Sequence, residues 1–65
     1  MPTEIALLSG KVLRVADDNE RPDDVIRRLG GRDMDVAGGF VSIATTEGDY
    51  RIRPQHVTSV RWVDA

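Results

Sequence analysis

The sequence predicts an α+β fold that is mostly β: a small antiparallel bent sheet or open barrel of four to five strands, with one short helix. Three observations predict it. Apolar and polar residues alternate along Glu4–Ala16 and again along Val41–Ile52, the period of a half-buried strand. Each alternating run carries a glycine where a hairpin has to turn, Gly10 in the first and Gly48 in the second. Between them, Pro22–Gly30 has the spacing and end signals of a helix.

The first hairpin has an arguable register. A Leu8-Ser9-Gly10 loop puts Gly10 in the left-handed position that closes it. Leu7 then faces Lys11, and Ile5 faces Leu13. Ile5, Leu7, Leu13 and Val15 share one face, with Ala6, Val12 and Arg14 on the other. A slip of one residue would scatter the apolar set over both faces, so the pattern specifies the pairing.

Asp17–Arg21 is a polar loop. Pro22 suits a first helical turn, where its missing N–H costs nothing. Asp23 and Asp24 lie near the positive end of the helix dipole, and Arg27 and Arg28 near the negative end. The expected i, i+4 pairs are Asp23–Arg27 and Asp24–Arg28, each adding about 0.3 kcal/mol. Val25, Ile26 and Leu29 make an apolar stripe, and Gly30 ends the helix. Two turns are too short to stand alone, so the stripe must dock on a sheet. In Gly31–Gly39, Met34 and Val36 alternate with Asp33 and Asp35. That alternation suits a short edge strand, and the flanking glycines suit a loop equally.

In the second hairpin, a Glu47-Gly48 turn pairs Thr46 with Asp49, Thr45 with Tyr50 and Ile43 with Ile52. Val41, Ile43, Tyr50 and Ile52 face inward, while Ser42, Ala44, Arg51 and Arg53 face outward. Pro54 ends the strand, because it cannot donate to a ladder. Pro54–Val57 forms a tight turn, and Thr58–Val63 resumes as a strand. Aligning Gly10 on Gly48 places Ile5 on Ile43, a faint internal repeat. The expected core is Ile5, Leu7, Leu13, Val15, Val25, Ile26, Leu29, Val41, Ile43, Tyr50, Ile52, Val60 and Trp62.

Residues 1–65 make one small domain, and a chain of this size buries only about 60% of its unfolded surface. It has no cysteine, so neither a disulfide nor a thiolate metal site can staple it. One histidine, His56, cannot build a zinc site, and no cofactor or metal is expected. Self-association is the expected remedy for the thin margin. No apolar run approaches the roughly 18 residues of a membrane span, and no basic, then apolar leader is visible, so a cytoplasmic protein is expected. Catalysis is not expected. His56 has no acidic partner in its turn, and no serine stands in a nucleophile elbow. The adjacent carboxylates Asp17-Asp18 and Asp23-Asp24 belong to a loop and a helix start.

The leading functional expectation is a non-catalytic protein–protein interaction module of regulatory character. It would bind itself as a homo-oligomer, or a protein partner, through a sheet face or an edge strand. The candidate interface is Trp62, Val63, Met34 and Val36, although Trp62 suits better a core residue closing a barrel. The alternative is single-stranded nucleic-acid (RNA) binding through Arg51, Arg53 and Arg61, with His56 beside them and Phe40, Tyr50 or Trp62 to stack bases. The same arginines also suit a solvated face that keeps an exposed sheet from aggregating. A third reading is a small phage-type inhibitor of a host enzyme, with Asp17–Asp24 imitating a nucleic acid.

Two resemblances accompany these readings. The stretches IALLSGKVLRVADD and FVSIATTEGDYRIRPQHVTSV resemble Sm-like (Hfq-type) proteins of bacteria. The shared pieces are Ser9-Gly10-Lys11, Phe40-Val41 and Gln55-His56-Val57. The resemblance implies an open SH3/Sm-like barrel, a homomeric ring and RNA binding around His56. Sm-like chains place their helix first, whereas here the helix lies between strands, and Gln55 stands where the family has a basic residue. The hairpin turns also resemble those of FlbD-type small flagellar proteins.

Overall fold

A computed structural model describes residues 1–33 and 38–64. The stretch with Met34 and Val36, which suits an edge strand or a loop equally, lies outside the described residues. The elements in order are β1 (Thr3–Leu7), β2 (Val12–Arg14), α1 (Pro22–Arg28), a short 3-10 turn (Gly31–Asp33), β3 (Val41–Thr45), β4 (Gly48–Ile52), a second 3-10 turn (Pro54–His56) and β5 (Val57–Trp62). The fold is α+β and mostly β, as the alternation predicts.

The strands form two antiparallel sheets, β2-β1-β5 and β3-β4. Among the described residues a single bridge, Val15 opposite Thr45, joins them. There Ala16 N–H donates to the Ala44 carbonyl at 3.0 Å, and Thr46 N–H to the Arg14 carbonyl at 3.0 Å. Among the described residues the chain of neighbours is therefore β5-β1-β2-β3-β4, open at both ends, with no closed barrel.

The first hairpin has the register its pattern predicts. Ile5 pairs with Leu13 and Ala6 with Val12. Leu7 N–H donates to the Lys11 carbonyl at 2.9 Å, and Gly10 takes a φ of 92°. The second hairpin corrects the expected register by two residues: Ile43 pairs with Tyr50 and Val41 with Ile52. The loop is Thr46-Glu47, closed by Thr45 opposite Gly48. The Thr45 hydroxyl decides this. It accepts the Glu47 N–H at 3.1 Å and donates to the Gly48 carbonyl at 2.7 Å, while Gly48 takes a φ of 114°. A shift of two keeps every side chain on its face, so the inward and outward sets stand as expected.

The pairing of β5 on β1 follows from no local pattern. Ile5 lies opposite Val60 and Glu4 opposite Arg61, with a register irregularity at Ala6/Leu7. Val63 N–H donates to the Pro2 carbonyl at 3.0 Å, tying the two ends of the described chain together.

Helix α1 has the expected bounds. The Asp24 carboxylate accepts the Arg21 N–H at 3.3 Å, and Gly30 follows the helix at a φ of 119°. The expected i, i+4 ion pairs are not the ones that form. Arg27 reaches Asp24 at 3.6 Å, and Arg28 leaves the helix face to reach Glu20 at 2.6 Å. Glu20 is the more sheltered acid and lies in the loop leading into α1, so Arg28 pins that loop. The buried Thr3 hydroxyl donates to the Glu20 carbonyl at 2.6 Å and fixes the same loop to β1.

The core is Ile5, Leu13, Val15, Val25, Leu29, Ile43 and Ile52, with Leu7, Val41, Tyr50, Val57 and Val60 leaning on it. Two expected members fall outside it: Ile26 and Trp62 are only half-buried. Ile26 sits at the edge of the helix stripe. Trp62 is placed by the pairing of β5 at the rim of its sheet. Val57 is the addition, carried inward by the 3-10 turn. No described helix is long and apolar enough to cross a membrane. Among the described residues, no cluster of His, Asp and Glu is arranged to hold a metal ion.

Candidate interaction surfaces

The outward row of β4 carries the first candidate surface. Arg51 is exposed opposite Ser42. Arg53, just past the strand, lays its guanidinium 5.0 Å from the centre of the Phe40 ring. His56 ends the 3-10 turn that Pro54 begins, and its side chain is exposed. Its backbone is held on both sides: the N–H donates to the Arg53 carbonyl at 2.9 Å, and the carbonyl accepts the Leu8 N–H at 2.8 Å. The turn is therefore fastened to the first hairpin loop. Arg51, Arg53 and His56 meet there with Leu7, Leu8, Phe40, Tyr50 and Ile52 around a groove of about 140 Å³.

Arg61 does not join them. The expectation that the last strand brings it beside Arg51 and Arg53 is corrected by the pairing of β5 with β1. That pairing sets Arg61 opposite Glu4. Glu4 is shared by two arginines, Arg14 at 3.3 Å and Arg61 at 3.4 Å, across three adjacent strands. Lys11 is likewise engaged: its ammonium lies 3.0 Å from Glu47 and 5.8 Å from the Tyr50 ring centre. The Glu47 hydrogen bond and charge hold its pKa above the ordinary 10.5. Arg51 and Arg53 differ from these. Among the described residues neither has a carboxylate within ion-pair distance.

The second candidate surface lies around Trp62. Its indole N–H points to the Met1 sulfur at 2.7 Å, and its strand partner is Thr3. With Arg21, Pro22 and Asp23 it lines a wider depression of about 270 Å³. Val63 is half-buried and its N–H is taken by Pro2. The candidates Met34 and Val36 lie outside the described residues.

Sequence reasoning missed one groove residue, Leu8, and named Phe40 only as a ring to stack bases; the two are 67% and 60% exposed. Leu8 could have been found, because a residue inside the tight Leu8-Ser9-Gly10 loop cannot also face the core. Phe40 follows Gly38-Gly39 at a strand start, a position from which the pattern does not say which way a ring turns.

Strand polarity locates the free backbone. Along an antiparallel ladder, alternate residues bond to opposite sides. Ala44 and Thr46 bond towards β2, so Val41 and Ile43 bond towards β4, through Ile52 and Tyr50. The N–H and C=O groups of Asp49 and Arg51 therefore point out of the sheet. Val63 bonds to Pro2, so Arg61 and Ser59 face β1, while Val60 and Trp62 point their backbone outward. Both ends of the strand series thus carry outward-pointing backbone groups, those of β5 with α1 packed nearby. No protein-family model, curated protein or solved structure matches the chain.

Proposed function

We propose that the protein is a non-catalytic interaction module of the cytoplasm that associates with itself, or with a protein partner, through the open strand edges of β4 and β5. The observation that carries this reading is the pair of outward-facing backbone rows, Asp49 with Arg51 and Val60 with Trp62. An unpaired strand edge is a ready template for another strand. The size of the chain supports the same reading, since a partner adds buried area that so short a domain lacks. Light scattering on a size-exclusion column tests it, together with thermal melts over a dilution series. The expected result is a mass above that of one chain and a midpoint that falls on dilution. A monodisperse monomer at high concentration, with a concentration-independent midpoint and no protein captured by pull-down, would sink the reading.

A second reading, single-stranded nucleic-acid binding, is favoured by one observation: Arg51 and Arg53 lack carboxylate partners among the described residues. Phosphate contacts would make affinity fall with salt, by a log–log slope of about −0.7 per contact. Absence of RNA and DNA binding in a low-salt filter assay removes this reading. Imitation of a nucleic acid by the acidic segment gains little support, because Glu20 and Asp24 are neutralised by Arg28 and Arg27.

A further inference from the structure

We propose that the groove beside β4 receives an extended acidic peptide that adds to the β4 edge and alternates apolar with carboxylate side chains. The inference rests on the edge-binding reading above and names the partner chemistry at one of the two edges.

Four observations converge on that occupant. The first is the backbone, since Asp49 and Arg51 present outward N–H and C=O groups to which an extended chain can bond. The second is the position of the groove. It is lined both by Tyr50 and Ile52, from the inward row of β4, and by Arg51 and Arg53, from the outward row. A groove touching both rows sits over the strand edge itself. Side chains of an added strand would alternate between those rows. One set would meet Leu7, Leu8, Tyr50 and Ile52, and the other set the two guanidiniums.

The third observation is charge. Among the described residues, no acidic side chain lines the groove, and Arg51 and Arg53 have no carboxylate partner. A carboxylate held by a guanidinium makes a charge-assisted pair, stronger than a neutral hydrogen bond. Asp49, next in the same row and opposite Ala44, would repel an acid. The peptide's acids therefore belong beside Arg51 and Arg53, and its residue beside Asp49 is neutral or basic.

The fourth observation separates a peptide from a nucleic acid. Base stacking needs open aromatic faces. Arg53 already covers one face of Phe40, Lys11 lies by the Tyr50 ring, and Tyr50 also leans on the core. The rest of the groove is Leu7, Leu8 and Ile52 with the polar Ser9 and His56, and its aliphatic part suits valine or isoleucine side chains better than a base.

The experiment is fluorescence anisotropy with a labelled peptide alternating valine and glutamate, at a protein concentration below that of any self-association. The expected result is saturable binding, weakened about a hundredfold by the double change Arg51→Gln/Arg53→Gln, at about tenfold per lost charged contact. Both side chains are exposed, and circular dichroism reports whether the variant is folded. Two further peptides probe the unaltered protein: one with serine for each valine, one with proline at alternate positions. Each should bind at least about tenfold more weakly, through lost apolar burial or lost backbone bonds. The proposal is overturned if the first peptide does not bind at low salt. Equal binding of the serine peptide also overturns it, because charge alone would then suffice. Tighter binding of oligouridine than of any peptide would transfer the face to nucleic acid. Self-association without peptide binding would sink this inference and leave the edge-pairing reading standing. Monomeric behaviour, no captured partner and no peptide binding would sink both.

Discussion

Gly48 shows how much a single residue determines here. Its φ of 114° is one that other residues rarely adopt, yet a Cβ added there meets nothing within 4 Å. Gly48→Ala should therefore cost about 1–2 kcal/mol through backbone strain alone, read as a shift in the urea midpoint with an unchanged slope. Lys11 belongs to the same scale. Glu47 raises its pKa above 10.5 in the folded chain, so the contribution of this pair is fully present below 10.5. It is lost as the pH climbs through the raised value, where the folded lysine also deprotonates. The thermal midpoints of the wild type and Lys11→Gln should differ by a constant amount at neutral pH and converge in alkali. A difference that persists unchanged through alkali would show that the Lys11 charge does not contribute through this pair.

At the scale of the element, α1 depends on its tethers more than on its own seven residues. A helix this short does not persist in water without tertiary contacts. Val25 and Leu29 seat it on the core, and the Thr3 hydroxyl fixes the loop before it. Thr3→Val keeps the shape and removes the donor, which leaves the Glu20 carbonyl short of a partner. The expected cost is about 1–2 kcal/mol. Hydrogen exchange should quicken first in α1, before the strands open. Uniform quickening across all elements would mean that the tether is no more local than a core contact.

At the scale of the whole molecule, the open strand series makes a sharp contrast between neighbouring positions. Ser59 faces β1 with its backbone, whereas Val60 faces outward. Proline at position 60 removes no ladder bond and is tolerated on an edge, so Val60→Pro should stay folded at a cost of about 1 kcal/mol in lost packing. It should also abolish association through the β5 edge, seen as a monomer by light scattering. Ser59→Pro removes a ladder bond and should cost about 3 kcal/mol. A Val60→Pro protein that still associates would place the contact at β4 or elsewhere.

The hairpins, the helix and the inward and outward faces were legible in the residues, because each rests on contacts between near neighbours. Alternation says which side of a strand faces the core, and a glycine says where the chain can turn. The same grammar was nearly enough for the second hairpin. It missed by two residues because a Thr45 hydroxyl, with two local partners, outweighed the turn that the Glu47-Gly48 pair suggests. The tertiary structure alone decided the rest. The pairing of β5 with β1 joins residues fifty or more positions apart. It sends Arg61 to Glu4 and Trp62 to a sheet rim. It also leaves Arg51 and Arg53 without Arg61, beside Leu8 and Phe40. Hydrophobic pattern records burial and not the identity of the covering strand, so that partnership exists only once the chain has closed on itself.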